Sequence, residues 1–418
     1  MIKTSGKIDV YVFADWVGLK EPTQVGVLSA HFAKAKKAFS FEYHKDWLLS
    51  KDQRLFDPDI SFYSGVQYPT VNENFGIFLD SMPDSWGKTL MKRRAAQLAK
   101  ANNKKASNLY DIDYLLGVFD QSRMGALRFK TQLGGPFLDA DNDNPTPPWS
   151  SLGDLQEAAK KLESDERVAA IDKWIAMLIA PGSSLGGARP KANILDSKRQ
   201  LWIAKFPSKS DEIDKAAWEY LAYKLAQTAG IVMSESKIEK ISGPHHIFLT
   251  KRFDRDGANR IHFASAMTLT GKTEDSIKSE PPSYLDMVAF IENHGVNVAA
   301  NLKQLWRRMV FNIAISNTDD HLRNHGFMLS EKGWTLSPAY DLNPSIDKQG
   351  LSLNIDMDDN SLSMELAKSV GVFFRLNTSE MDLIIKEVLI AVAPWESVAK
   401  DIGIKRSEVE LMEPAFNF

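Results

Sequence analysis

Apolar positions follow two periods along the chain. Strand-like runs come first, from Ile8 to Phe13 and from Gln24 to Ser29. Between Pro83 and Lys100 the spacing lengthens, and Trp86, Leu90, Met91, Ala95 and Leu98 recur as one face of a helix. Pro83 suits the first turn of that helix. Lys88, Lys92, Arg93 and Arg94 fall on the opposite face, and such a charge run reads most simply as a solvated surface. Residues 1–130 are therefore expected to make one α+β subdomain. Residues 131–150 are rich in Gly, Pro, Asp and Asn and lack periodicity, which marks a linker. Helical patterns return at Ser151 to Leu162 and at Val168 to Ile179, and the last third is mainly helical. There, Met381 to Val392 places Leu383, Ile384, Val388 and Leu389 on one side.

The candidate chemistry lies beyond residue 180. The stretch Pro181 to Lys191 reads Pro-Gly-Ser-Ser-Leu-Gly-Gly-Ala-Arg-Pro-Lys. Small residues let a backbone approach phosphate oxygens and present N–H donors. Pro190 removes one donor, and the Gly-Lys-Ser/Thr ending of a Walker loop is missing. Strand text follows at Ala192 to Leu195, a turn at Asp196 to Arg199, and a second strand at Gln200 to Phe206. In that strand Leu201, Ile203 and Lys205 share one side, and Trp202, Ala204 and Phe206 the other. An ammonium closing an apolar strand needs a partner or an outlet to solvent. A helix expected over Asp211 to Ala229 carries Glu219 between Trp218 and Tyr220. Protein kinases pair a strand Lys that holds ATP phosphates with a helix Glu of this kind. The plain alternatives are a solvated strand-end Lys and a surface Glu.

The densest signal is Asn317-Thr318-Asp319-Asp320-His321-Leu322-Arg323-Asn324, behind a helix bearing Leu305, Met309, Val310 and Ile313. A kinase catalytic loop sets its Asp base five positions before a metal-binding Asn. Asp319 and Asn324 have that offset; Asp320 does not, though it stays open as a stand-in. Asp319 is expected to orient an acceptor hydroxyl and take its proton. A polar helix-capping loop is the bland alternative. A hairpin follows, with Gly326 to Leu329 and Trp334 to Leu336 around a Ser330-to-Gly333 turn. It leads to Ser337-Pro338-Ala339-Tyr340-Asp341-Leu342, where Asp341 fills the slot of the kinase metal-binding Asp. The hard oxygens of Asn324 and Asp341 suit magnesium, which also takes phosphate oxygens. The element order predicts an α+β fold with a two-lobed kinase-like core. Residues 151–260 would form the N-lobe-like region and 261–418 the helical C-lobe.

In these motifs the chain resembles the HipA family of bacterial toxin–antitoxin serine/threonine kinases. The resemblance also takes in Pro83 to Gly87, Leu116 to Asp120, Met124 to Phe129, Ala204 to Pro207 and Lys251 to Arg255. It implies ATP bound between lobes, with Gly186, Gly187, Ala188, Arg189 and Lys191 over the phosphates and Lys205 contacting them. It implies a hinge at Lys251, Arg252 and Phe253, and a nucleotide site completed by His321, Arg323, Asn324, Tyr340 and Asp341. It further implies an autophosphorylated Ser184, a small helix-turn-helix antitoxin that binds operator DNA, and an aminoacyl-tRNA synthetase as target. Two departures are visible: Arg189-Pro190-Lys191 stands where the best-known members carry Gln-Glu-Lys, and Lys251 where an acidic residue is common.

Composition narrows the setting. A chain of 418 residues, 44% of them hydrophobic, can bury several cores. The absence of cysteine excludes disulfides and cysteine-based zinc sites and fits a reducing cytoplasm. The N-terminus has no long apolar h-region, and no uncharged apolar run nears the ~20 residues that span a bilayer, so no membrane partner is expected. A net charge of −3 provides no global footprint for nucleic acid, so DNA would be reached through the partner. Two other readings stay open. One is a small-molecule or lipid kinase of the same fold. The other is a catalytically silent nucleotide-binding co-repressor, against which the intact Lys205, Asp319, Asn324 and Asp341 set argues.

Overall fold

A computed structural model describes residues 5–33, 36–50, 54–71, 73–106, 108–138, 146–164, 178, 187 and 189–416. Most of the expected Val168-to-Ile179 helix, and Ser184, Gly186 and Ala188 of the glycine loop, lie outside the described residues. The chain divides into two compact units, Met1–Lys209 with Asp254–Ala264, and Ser210–Phe253 with Ser265–Phe418.

The first unit mixes strands and helices. Its sheet runs in the order Lys36–Tyr43, Thr23–Ala33, Ser5–Ala14, Leu127–Lys130, all antiparallel. Alternate residues Val10, Val12 and Ala14 are fully buried, as the period of a one-sided sheet requires. Phe41 and Phe78 pack at 5.6 Å, and Phe78 and Phe129 at 6.2 Å, to make an aromatic core. The basic helix spans Ser85–Ala101, with Asp84 as its cap: Asp84 Oδ1 accepts from Gly87 N at 2.8 Å. Pro83 therefore precedes the cap and does not occupy the first turn. The apolar stripe also ends early. Trp86 and Leu90 are buried but Leu98 is exposed.

Several stretches singled out by sequence are structural here. Arg123 is buried and donates to the carbonyls of Ser81, Leu115 and Val118 at 2.7–3.0 Å, closing the Asp111–Leu116 helix. Asp120 accepts from Arg128 and Arg260, and Asp254 accepts from Gly125 N and Arg255. The strands Lys191–Leu195 and Leu201–Lys205 form an antiparallel hairpin with Lys191 opposite Lys205. Its turn is closed by Asp196 Oδ1, which accepts from the N–H groups of Lys198 and Gln200. Both faces of Leu201–Lys205 are covered, so strand alternation does not separate inside from outside there.

The second unit is mainly helical. Its central helix, Val298–Ala314, buries Leu305, Met309, Val310 and Ile313. The Lys215–Thr228 helix starts four residues later than expected because Asp214 caps it, accepting from Ala217 N. Along Thr378–Val392 the buried stripe is Met381, Ile384, Val388 and Ala391. Leu383 is exposed, so the expected side was misplaced by part of a turn. Two hairpins complete the unit, Ser236–Glu239 with Ile247–Lys251, and Gly326–Ser330 with Gly333–Leu336. Among the described residues, no helix is long and apolar enough to cross a membrane.

Candidate active site

The expected residues divide between the units, and each group has its own geometry. In the first unit the end of the glycine loop is held by the start of the Ser85–Ala101 helix. Trp86 N donates to Gly187 O at 3.4 Å, and Gly187 takes φ +79°, a conformation open to glycine. Lys191 Nζ lies 2.6 Å from Asp84 Oδ2 and 3.3 Å from Gly187 O. Both side chains of this ion pair are almost wholly buried, at 2% and 4% exposure. Burial pushes the Asp84 carboxyl above its ordinary range, against the pull of Lys191 and of Gly87 N. Arg189 and Lys205 are half-buried.

In the second unit the stretch Ser316 to His325 forms a tight polar turn. Ser316 enters it at φ +50°. Asp319 projects outward with a side chain 75% exposed, and Lys348 Nζ lies 3.9 Å from its Oδ1. Asp320 points the other way and is buried. Its carboxylate accepts from the Tyr284 hydroxyl, and His325 Nε2 lies 2.9 and 3.1 Å from its two oxygens. Asn312 Nδ2 donates to Tyr284 Oη at 3.1 Å, and Asn317 Nδ2 to Asn312 Oδ1 at 3.1 Å. Burial pushes the Asp320 carboxyl up, but His325 and the hydrogen bonds from His325 and Tyr284 outweigh it and hold the group below its ordinary range. Burial, then Asp320, push the Tyr284 hydroxyl well above its ordinary value. Burial lowers the Arg308 guanidinium to about 10; one of its nitrogens donates to Ser337 O.

Asn324 is oriented from both ends. Its N–H donates to His321 O at 2.7 Å, and its Nδ2 to Asp319 O at 3.0 Å. Its Oδ1 is buried and has no hydrogen-bond partner among the described residues. A buried acceptor left unmatched is costly unless something outside the chain completes it. The segment after the second hairpin reaches the same turn: Tyr340 Oη donates to Arg323 O at 2.9 Å, and Ser345 N to Ser316 O at 3.2 Å. Asp341 sits at φ +59°, a strained conformation for a non-glycine residue, and Asn343 Nδ2 lies 3.4 Å from its Oδ1. The Tyr340 ring stacks on Phe253 at 5.7 Å. Thus Phe253, Asp319, His321, Arg323, Asn324, Tyr340 and Asp341 belong to one connected region. An amide oxygen with no partner among the described residues and a half-buried carboxylate are hard donors that fit magnesium, which keeps most of its shell for water and phosphate. Glu219 is buried on the Lys215–Thr228 helix, Arg252 is buried, and Lys251 is half-buried at the end of its strand.

Sequence reasoning missed Tyr284, Arg308, Asn312 and His325. Arg308 and Asn312 are four apart on the buried face of Val298–Ala314, a polar pair inside an apolar stripe.

Comparison with known proteins places this region. The HipA-like C-terminal domain model matches residues 183–395. A protein of Sinorhizobium fredii named "Putative kinase Y4mE" is 22% identical over 210 residues, which span 48% of this chain and 43% of that protein. "Toxin YjjJ" of Escherichia coli is 24% identical over 335 residues, 77% of this chain and 68% of that protein. A solved complex of HipA, HipB and operator DNA from the Shewanella oneidensis MR-1 toxin–antitoxin system superposes with a TM-score of 0.66 at 17% identity. That match covers 97% of this chain and 94% of the other, and it shows a shared mixed helix-and-strand fold.

Proposed function

The chain belongs to the HipA-like C-terminal domain family, and we propose that it is an ATP- and magnesium-dependent serine/threonine-protein kinase of the toxin type. The observation that carries this is the turn in which Asp319 is exposed while the buried Oδ1 of Asn324 lacks a partner among the described residues. Asp319 would orient the acceptor hydroxyl and take its proton as the phosphoryl group transfers. Asn324 and Asp341 would hold magnesium, which when bound offsets charge on the phosphates. Lys205, partnered by Glu219, would contact the phosphates together with the Gly186-to-Lys191 loop. Lys251, Arg252 and Phe253 would line the adenine site, and His321, Arg323 and Tyr340 the rest of the nucleotide site. Ser184 would be the autophosphorylated residue. A helix-turn-helix antitoxin would neutralise the activity in the cytoplasm and carry the complex to operator DNA, and an aminoacyl-tRNA synthetase would be the target.

The test is transfer of labelled phosphate from ATP by the full chain to protein acceptors and, separately, to small metabolites. Transfer to serine or threonine of protein is expected, falling roughly 10²–10⁴-fold in Asp319→Asn. Transfer to metabolites alone would point to a small-molecule kinase. Equal rates in wild type and Asp319→Asn would remove Asp319 from the chemistry.

A further inference from the structure

The turn contains two links of the same span, offset by one residue. Asn324 Nδ2 donates to Asp319 O, and His325 Nε2 binds the Asp320 carboxylate. In the 319/324 pair the Asp319 carboxylate is exposed, while the Asn324 Oδ1 is buried and has no hydrogen-bond partner among the described residues. The 320/325 pair faces the core: both residues are buried, and the pair is tied through Tyr284 and Asn312 to the helices Tyr284–His294 and Val298–Ala314. Because Asp319 is exposed and its neighbour Asp320 is buried, the inward grip on Asp320 limits where Asp319 can point. His325 directly follows Asn324, so its link to Asp320 also limits where the Asn324 backbone can sit. We propose that Asp320 and His325 are positioning residues, an inner staple on Tyr284 that holds Asp319 and Asn324 in register for phosphoryl transfer.

The proposal rests on the kinase reading of Asp319 and Asn324, and it makes a claim that general structural packing does not. A residue that only stabilises the fold would, when replaced, reduce the folded fraction and leave the folded molecules fully active. A positioning residue would leave the chain folded and slow it. It would also raise the magnesium concentration needed for half-maximal rate, since Asn324 is displaced along with Asp319. Two links closing the same turn should also act as a unit, so their losses should not add.

The experiment uses the full chain with Asp320→Asn, Tyr284→Phe, His325→Gln and the Asp320→Asn/His325→Gln double variant. Hydrogen–deuterium exchange is followed across the whole chain, and transfer is measured at saturating ATP over a magnesium series. Faster exchange confined to residues 317–325 is expected, with kcat lowered roughly 10–100-fold, the usual effect of removing a group that orients a ligand. Half-maximal magnesium should rise, and the double variant should be no slower than the slower single. Wild-type kcat and loop protection in Asp320→Asn would overturn the proposal. So would faster exchange spread over the whole second unit, which would mean a general role in the fold. If the wild type transfers no phosphate, the kinase reading fails. The exchange data then decide the staple by themselves: localised loosening supports it, and unchanged protection refutes it.

Discussion

The Asp84–Lys191 pair joins the start of a helix to the end of the glycine loop across 107 positions of sequence. Its burial makes its removal measurable. Lys191→Met leaves a buried carboxylate, and Asp84→Ala leaves a buried ammonium; breaking such a pair on one side costs about 3–5 kcal/mol. Asp84 also caps the Ser85–Ala101 helix through Gly87 N, so Asp84→Ala loses about 1 kcal/mol more. Asp84→Asn keeps an acceptor for the cap and should lie between. Lys191→Met should be the milder single change at low pH, because burial already raises the Asp84 carboxyl and the orphaned group can take up a proton. The double variant Asp84→Asn/Lys191→Met has no buried charge, and it should recover about 3 kcal/mol relative to the sum of its singles. Native-state hydrogen exchange of the Ser85–Ala101 amides reads these values locally, without assuming that both units unfold together. A coupling below about 1 kcal/mol, the range of exposed pairs, would refute the buried ion pair.

Three further outcomes follow from the same geometry. In the first unit Asp57 is buried, its Oδ2 accepting from Ile77 N at 2.8 Å, and burial raises its carboxyl from 3.8 to about 6. Between those values the folded chain keeps a proton that the unfolded chain has released, so stability should fall by about 2 kcal/mol from pH 4 to pH 6. Urea midpoints across that range should show a flatter slope in Asp57→Asn. Asp341→Ala should raise the magnesium needed for half-maximal transfer, and an unchanged magnesium curve would exclude Asp341 as a ligand. Phosphorylation of Ser184 adds about −1.5 to −2 charges to the loop proposed to cover the ATP phosphates. It should weaken ATP binding by calorimetry, and equal or tighter binding would refute that reasoning.

The sequence makes local chemistry legible. The Asp196 turn, the Gly326–Leu336 hairpin and the helix before the polar turn all lie where nearby residues place them, because their hydrogen bonds close within a few positions. Helix faces are less legible. Leu98 and Leu383 fit an apolar period yet lie exposed, since a folded surface retains many apolar side chains and the period does not say which turns find a partner. Lys191 was read as a phosphate ligand from its loop. Its partner Asp84 lies in the Pro83-to-Gly87 motif, but spacing does not pair two residues so far apart in the chain.

The tandem aspartates show how far spacing alone can carry an assignment. The five-residue offset to Asn324 selects Asp319 but is silent about Asp320, whose offset to His325 is the same. Only burial separates them, one carboxylate 75% exposed and the other within reach of Tyr284 and His325. A signal for that inner network did exist. Arg308 and Asn312 interrupt the stripe of Leu305, Met309 and Ile313, and burying polar groups without partners is costly. Those partners had to come from other segments. For Asn312 the nearest polar cluster in sequence is the turn the helix leads into, where Asn317 donates to it; Arg308 instead donates to Ser337 O, beyond the second hairpin. Polar interruptions of an apolar helix face thus point to the loop that they anchor. In this chain that loop carries the exposed Asp319 and the Asn324 whose buried Oδ1 has no partner among the described residues.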